Sequence, residues 1–282
     1  MTPSTIPPKT RAILFDFMGT CLNWHASLLP HLPPLPSHPS FPPELASQIQ
    51  SDFLLQWRQS YFNANTIRIS QNLPVENIDL THLSTLETLL LTPIYSPWSP
   101  SFTPPIKESL IRAWHHQTPW PDVLPALTSL SEGKEYELFV HANGSTRLQL
   151  DLVKAAGLKG VFDMLFSSQL VGVYKPERAS YEWVMGLLGL EPEECVMVAA
   201  HTSDLKGAKE VGMKTVYVRR WTDDINDDQE VVKRENDAYL ENMEDLGKKQ
   251  DTWSSGDARK GKEKGGGSSS IDRLEFPDIP TS

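Results

Sequence analysis

The chain has 282 residues, of which 39% are hydrophobic, and its formal net charge is −10. This length suits one α/β domain with a smaller inserted or appended one. The acidic balance argues against nucleic acid as a partner, since a phosphate backbone requires a basic protein face. No apolar run approaches the ~20 residues that a membrane span needs, so we expect no membrane partner and a cytoplasmic location.

Residues 1–10 form a short proline-rich segment, which we interpret as an N-terminal arm. The following sequence, RAILFDFMGT, begins with a compact apolar run and ends in Asp16 and Gly19. A short apolar run closed by glycine is typical of a buried strand that enters a loop. Residues 11–22 are therefore predicted to contribute the first strand of an α/β core.

Residues 23–118 have a different character and are predicted to form a helical cap. They open with LLPHLPPLPSHPSFPPE, whose prolines forbid long helices. Helical periodicity follows in LASQIQSDFLLQWRQSYF, where apolar side chains four residues apart make one stripe, and again in IKESLIRAWHHQ. The stripe consists of Ile49, Phe53, Trp57 and Tyr61.

Residues 119–222 alternate between strand-like and helix-like segments. The strand-like segments are ELFVHANG, DMLFSSQL, CVMVAAHT and KTVYVRRW, and three helix-like segments separate them. Such alternation predicts a Rossmann-like parallel sheet with helices on its faces. Ligands in such sheets bind beyond the carboxyl ends of the strands. Residues 223–282 are charged and low in complexity, and we predict a disordered tail there.

Polar side chains follow the predicted core strands, where a site is expected. Asp16 leaves the first strand, and Thr20 lies in the loop behind it. A carboxylate at such a place suits a nucleophile cradled by loop N–H groups, although an aspartate that merely caps the loop has the same pattern. Asn143, in HANGST, is placed to hold an anionic oxygen, or to begin a plain turn with a helix cap at Ser145 or Thr146.

Two further segments complete this set. Lys175, in VYKPERASY, would keep the carboxylate of Asp16 ionised if it lay nearby, and Tyr181 follows six residues later, in the next helical turn. His201 and Asp204, in VAAHTSDLKGAK, follow another buried strand. Asp204 either orients Lys175 or a water molecule, or caps the next helix.

The order of these motifs resembles the haloacid dehalogenase (HAD) superfamily over about residues 11–221. The run VYKPERASY and the segment VAAHTSDLKGAKEVGMKTVYV resemble the L-2-haloacid dehalogenase class, type II. In the predicted cap, LLQWRQSYF resembles a segment of that class in which an arginine contacts the substrate carboxylate or the departing halide. That position is Arg58 here.

The resemblance implies a hydrolase with a covalent aspartyl-ester intermediate. Asp16 would displace halide from a small 2-halo carboxylic acid, and water held near Lys175 and Asp204 would then release a hydroxy acid. Substrate-contacting positions are implied as well. These are Met18, Thr20, Arg58, Asn143, Tyr181 and His201.

The sequence departs from the superfamily pattern in places. Met18 stands where phosphatases of the superfamily carry a second aspartate and dehalogenases usually a tyrosine. Ala142 replaces the usual serine or threonine, and Ala200 replaces an acidic residue of Mg²⁺-dependent relatives. Asp16 and Asp204 alone would supply few protein ligands for Mg²⁺, so we predict no metal and no cofactor. His201 replaces an asparagine, and it is interpreted as an extra base, a hydrogen-bond donor or a structural histidine.

Two alternatives stay open from the sequence. One is a Mg²⁺-dependent phosphatase acting on a small phosphomonoester, with Asp16 and Asp204 as ligands. The other is a non-catalytic HAD-like protein that binds a partner, suggested by the changes at Met18 and Ala142. The sequence also leaves a homodimer open.

Overall fold

The structure is a computed structural model and describes residues 6–7 and 9–247. Of the arm predicted for residues 1–10, residues 6–7 and 9–10 are therefore described, and Ile6 packs into the hydrophobic core. Residues 248–282, the larger part of the predicted tail, lie outside the described residues.

Six of the eight strands form one parallel sheet in the order β5-β4-β1-β6-β7-β8, and the other two pair with each other. β1 lies inside the sheet, between β4 and β6, so the loop that carries Asp16 leaves from its middle. The predicted parallel sheet is confirmed. The strands are β1 (Ala12–Phe15), β2 (Leu22–Asn23), β3 (Thr118–Pro119), β4 (Glu137–Ala142), β5 (Met164–Ser167), β6 (Cys195–Ala199), β7 (Lys214–Val218) and β8 (Ala238–Leu240).

Helices cover both faces of the sheet and fill the segment between β2 and β3. They are α1 (Trp24–Leu28), α2 (Ala46–Ser70), α3 (Ile78–Leu90), α4 (Pro104–Ala113), α5 (Val123–Gly133), α6 (Thr146–Ala155), α7 (Ser168–Val171), α8 (Arg178–Leu188), α9 (Thr202–Glu210) and α10 (Gln229–Glu235). Among the helices of the described residues, none combines the length and the apolar character that crossing a bilayer requires.

The central strand shows why the sequence folds this way. Ile13 and Phe15 belong to the hydrophobic cluster on one face of the sheet, and Ala12 and Leu14 belong to the cluster on the other. All four are fully buried. A strand covered on both faces needs a continuous apolar run rather than an alternating one, as the sequence predicted.

The segment predicted as a cap is helical, and its two ends meet in the short antiparallel pair β2–β3. Phe53, Trp57 and Tyr61 of the predicted stripe are buried along α2. Ile49 is partly buried against the same core. The long helix therefore turns one apolar face inward, and this fixes which of its polar residues reach the neighbouring loops.

The prediction of a disordered tail beginning at residue 223 is wrong as far as residue 247. The helix α10 and the edge strand β8 lie in this part of the chain, and β8 extends the sheet beside β7. The sequence did not indicate the strand β8, because AYL has only three residues and follows a run of charged residues. Its Leu240 is nevertheless buried.

Candidate active site

The carboxyl ends of β1, β4, β6 and β7 open into a cavity of about 530 Å³, which α2 covers from the other side. Seven of the nine residues predicted for the site line it together with the loop after β7, residues 222–227. The seven are Asp16, Met18, Arg58, Asn143, Lys175, His201 and Asp204. The other two, Thr20 and Tyr181, do not line the cavity.

Asp16 is almost fully buried, and both of its carboxylate oxygens are bonded. Oδ1 lies 3.0 Å from Nζ of Lys175. Oδ2 lies 2.8 Å from the hydroxyl of Thr20 and 3.0 Å from Nδ1 of His201. Burial alone would raise the pKa of Asp16, but the charges of Lys175 and His201 outweigh it and hold this pKa far below its usual value. Asp16 is therefore an anion throughout the physiological pH range.

Lys175 lies between the two carboxylates, with Nζ bonded to Asp204 as well as to Asp16. Burial would lower the pKa of Lys175, yet the two carboxylates raise it above its ordinary value. The ammonium group thus stays charged. Asn143 fixes its backbone, because the side-chain amide donates to the carbonyl of Lys175 and accepts from its N–H, both at 2.9 Å.

Asn143 thus has a positioning contact beside the role predicted for it. Its amide oxygen and one of its two amide N–H groups are used on the backbone of Lys175, and the side chain also borders the cavity. Hydrogen bonding of Asn143 to an anionic oxygen stays a prediction. The prediction of a helix cap at this turn is confirmed, since the side chain of Ser145 accepts from the N–H of Leu148.

Tyr181 also differs from its prediction, since it is fully buried and does not line the cavity. Its hydroxyl donates to Oδ1 of Asp204 over 2.7 Å. Burial raises the pKa of Asp204 in spite of the neighbouring ammonium group. Tyr181 is therefore a residue that orients Asp204, and a carboxylate with a raised pKa is a better proton acceptor than an ordinary one.

Thr20 likewise does not line the cavity. It is fully buried, donates to Asp16 and accepts from the backbone N–H of Ala200 over 2.8 Å. This hydroxyl ties the loop after β1 to the end of β6. Its predicted contact with a substrate is replaced by a contact with Asp16.

Arg58 reaches the cavity from α2 and is 4% exposed. One guanidinium nitrogen donates to the carbonyl of Met18 over 3.2 Å, whereas Nε and Nη1 have no hydrogen-bond partner. Four aromatic rings surround the group, and the nearest is Phe62 at 4.5 Å. A buried cation with unused N–H groups is suited to an anion that enters the cavity.

Asp223 is a site residue that the sequence prediction missed, because it was assigned to the tail. Its Oδ1 lies 2.9 Å from Nε2 of His201, so this ring bridges Asp223 and Asp16. Burial would lower the pKa of His201, but the two carboxylates raise it to about 10. One signal was available: Asp223 stands five residues after the strand KTVYV, and therefore at the same edge of the sheet as Asp16.

The donor set does not fit Mg²⁺. Among residues 6–7 and 9–247, no group of three or more histidine, cysteine or acidic side chains is arranged to hold a metal ion. Asp16 and Asp204, the two ligands considered from the sequence, instead share the ammonium group of Lys175. Alanine stands at position 200, so no third carboxylate is supplied by the end of β6.

Comparison with known proteins agrees with this geometry. A family model described as haloacid dehalogenase-like hydrolase matches residues 10–212, well over half of the chain. The (S)-2-haloacid dehalogenase 4A of Burkholderia cepacia is 24% identical over 74% of this chain and 83% of its own. A crystal structure of an L-2-haloacid dehalogenase is 29% identical, with a TM-score of 0.67 over 84% of this chain and 97% of that one. A defluorinating L-2-haloacid dehalogenase is 27% identical, with a TM-score of 0.68.

The chain therefore belongs to the haloacid dehalogenase-like hydrolase family and is a hydrolase. Its relatives in sequence and in structure include L-2-haloacid dehalogenases, which confirms the resemblance stated from the motifs. The alternative of a non-catalytic binding protein is accordingly set aside.

Proposed function

We propose that the protein is a metal-independent 2-haloacid dehalogenase in which Asp16 forms a covalent ester with the substrate. The observation that carries this proposal is one cavity that holds an ionised carboxylate, Asp16, and an incompletely bonded cation, Arg58. A small 2-halo carboxylic acid offers an electrophilic carbon to Asp16 and a carboxylate to Arg58.

In the first step Asp16 attacks the halogen-bearing carbon. A bond forms between a carboxylate oxygen and that carbon, while the carbon–halogen bond breaks and halide leaves with the electron pair. Arg58 holds the substrate carboxylate, whose charge its buried guanidinium balances. Halide needs no proton to depart, so Met18 is tolerated where a phosphatase requires an acid.

In the second step water attacks Cγ of Asp16 and gives up a proton to Asp204. The carbonyl bond re-forms and the bond between Cγ and the ester oxygen breaks. The product alkoxide takes a proton from Lys175, which recovers it from Asp204. Overall one water and one 2-halo acid give a hydroxy acid, a halide ion and a proton.

The test is halide release from L-2-chloropropionate, followed by ion chromatography with and without a chelator. We expect release that the chelator does not change and that Asp16→Asn abolishes. A single turnover in ¹⁸O-labelled water should place one ¹⁸O atom in Asp16 and none in the product, because water attacks the aspartyl carbon.

Asp163→Asn is the matched control, since Asp163 lies at the amino end of β5 and accepts from the N–H of Leu138. It should retain activity. Absence of halide release from every short 2-halo acid would contradict the dehalogenase proposal. Hydrolysis of phosphomonoesters that depends on added Mg²⁺ would instead support the phosphatase alternative, against which Ala200 and the placement of Lys175 now stand.

A further inference from the structure

His201 lies in a gap between two buried carboxylates. Nδ1 is 3.0 Å from Oδ2 of Asp16, and Nε2 is 2.9 Å from Oδ1 of Asp223. An ionised carboxylate accepts hydrogen bonds but donates none, so both ring nitrogens must carry a proton. His201 is therefore an imidazolium ion with one N–H directed at the nucleophile.

Asp223 is held firmly in this arrangement, and its side chain is fully buried. Oδ2 accepts from the hydroxyl of Thr222 over 2.6 Å and from the indole of Trp24 over 3.4 Å. Gly19 has a φ of +93°, and a Cβ atom there would come within 2.7 Å of the same carboxylate oxygen. The nucleophile loop thus needs glycine partly because Asp223 packs against it.

The two oxygens of Asp16 are bonded unequally. Oδ2 accepts from Thr20 and from His201, whereas Oδ1 is bonded only to Lys175. The less constrained Oδ1 is the better placed to attack, which leaves Oδ2 as the carbonyl oxygen of the ester. When water adds to that ester, negative charge develops on Oδ2, between the two donors.

We infer that Asp223 is a positioning residue that keeps His201 charged, so that His201 and Thr20 form the oxyanion site for hydrolysis of the Asp16 ester. This inference rests on the proposed function and assigns residues to its second step. In that step the water oxygen bonds to Cγ and the carbonyl electron pair moves to Oδ2. That pair returns when the bond between Cγ and Oδ1 breaks.

The ester itself explains why Asp223 is needed. Once Asp16 is esterified it carries no charge, and His201 loses one of its two anionic neighbours. Asp223 then holds the proton on the ring, against burial and against nearby cations. The charged groups that border the cavity around His201 come from five parts of the fold. They are Asp16 after β1, Arg58 of α2, Lys175 before α8, Asp204 of α9, and Asp223, Asp224 and Asp227 after β7.

The experiment separates the two half-reactions by rapid quench with L-2-chloropropionate, from about pH 6 to about pH 10, a range in which histidine titrates. Ester on Asp16 is followed by intact mass. Asp223→Asn should slow ester hydrolysis about 100-fold at the alkaline end, the order lost with one oxyanion donor. This loss of rate should shrink as the pH falls, because a lower pH favours the protonated ring. Ester formation should change far less, so ester should accumulate.

Asp223→Glu restores the charge and should recover most of the rate. Asp151→Asn is the matched control, because it removes a carboxylate bonded to another histidine, His115, outside the cavity. Its pH profile should match that of the unmodified protein. Equal slowing of both half-reactions in Asp223→Asn, or an unshifted pH profile, would overturn the inference and leave the dehalogenase proposal standing.

If the unmodified protein forms no ester, the proposed function fails and the inference falls with it. If Asp223→Asn does not fold, ¹⁵N NMR of the unmodified protein decides. Two protonated ring nitrogens on His201 at about pH 8, well above the usual histidine pKa, support the inference. A neutral ring overturns it.

Discussion

Two histidines of this protein have the same bonding pattern in different surroundings. His201 bridges Asp16 and Asp223, and His115 bridges Asp79 and Asp151 at 3.0 and 2.9 Å. The side chains of Asp79 and Asp151 are 33% and 29% exposed, whereas those of Asp16 and Asp223 are 11% and 0% exposed. The pKa is raised in both rings, and for His201 it reaches about 10.

The comparison shows that bonding to two carboxylates does not by itself place a histidine in the cavity. His115 follows α4 and connects Asp79 of α3 with Asp151 of α6, so it joins the helical insert to the core at a surface that water reaches. His201 has the same bonding pattern with carboxylates that are almost fully buried, so each charge acts more strongly on the others. Burial, rather than the number of partners, separates the two.

The largest expected difference is in stability. His201→Ala leaves the buried carboxylate of Asp223 without its bonded cation and removes one of the two cations bonded to Asp16. Removing one partner from a buried pair costs about 3–5 kcal/mol. His115→Ala should cost less than ~1 kcal/mol, since its partners are partly solvated. Urea unfolding at neutral pH measures both, with exposed His38→Ala as the baseline. Equal losses in the free energy of unfolding for the two variants would contradict this comparison.

The next effect is on the pH dependence of stability. The pKa of His201 in the folded protein, about 10, lies above its unfolded value, so its contribution is complete below pH 6.5 and is lost as the pH rises toward 10. The free energy of unfolding should fall in this window by up to ~1.4 kcal/mol per pH unit. His201→Gln should flatten that slope. His115 has the same sign over a narrower window, so an unchanged slope in His201→Gln would contradict the assignment.

The smallest effect is the response to salt. Raising the ionic strength from 0.1 to 1 M shortens the Debye length from about 10 to about 3 Å. The pKa of His115 should then fall by a fraction of a unit toward its ordinary value, while that of His201 should stay in place. NMR titration of the two rings at both salt concentrations sharpens the comparison. A shift of equal size in both rings would mean that salt reaches His201 as well.

The fold was predictable because its signals are local. The buried strand before Asp16 is one continuous apolar run, and the later strands alternate with amphipathic helices. Parallel strands place their carboxyl ends at one edge of the sheet, so the sequence alone predicted Asp16, Lys175 and Asp204 close together. The short strand β8 was missed because three residues carry little periodicity.

The site was less predictable where bonding decides the role. Sequence order brings Asn143 and Tyr181 to the site, but only the structure shows that their side chains are hydrogen-bonded to Lys175 and Asp204. His141 precedes Asn143 by two residues, yet it is 1% exposed, bonded to Ser180 and outside the cavity. The sequence prediction missed Asp223 because its acidic neighbours gave the whole segment the composition of a solvated tail.

The placement of Asp223 also bears on how the protein is made. Asp16 and Asp223 are separated by about 200 residues of chain. At a synthesis rate of about 5–20 residues per second, roughly 10 to 40 s pass between the emergence of one and the emergence of the other. During translation the loop after β1 must therefore remain with the space beside Gly19 unfilled until nearly the whole described chain has left the ribosome.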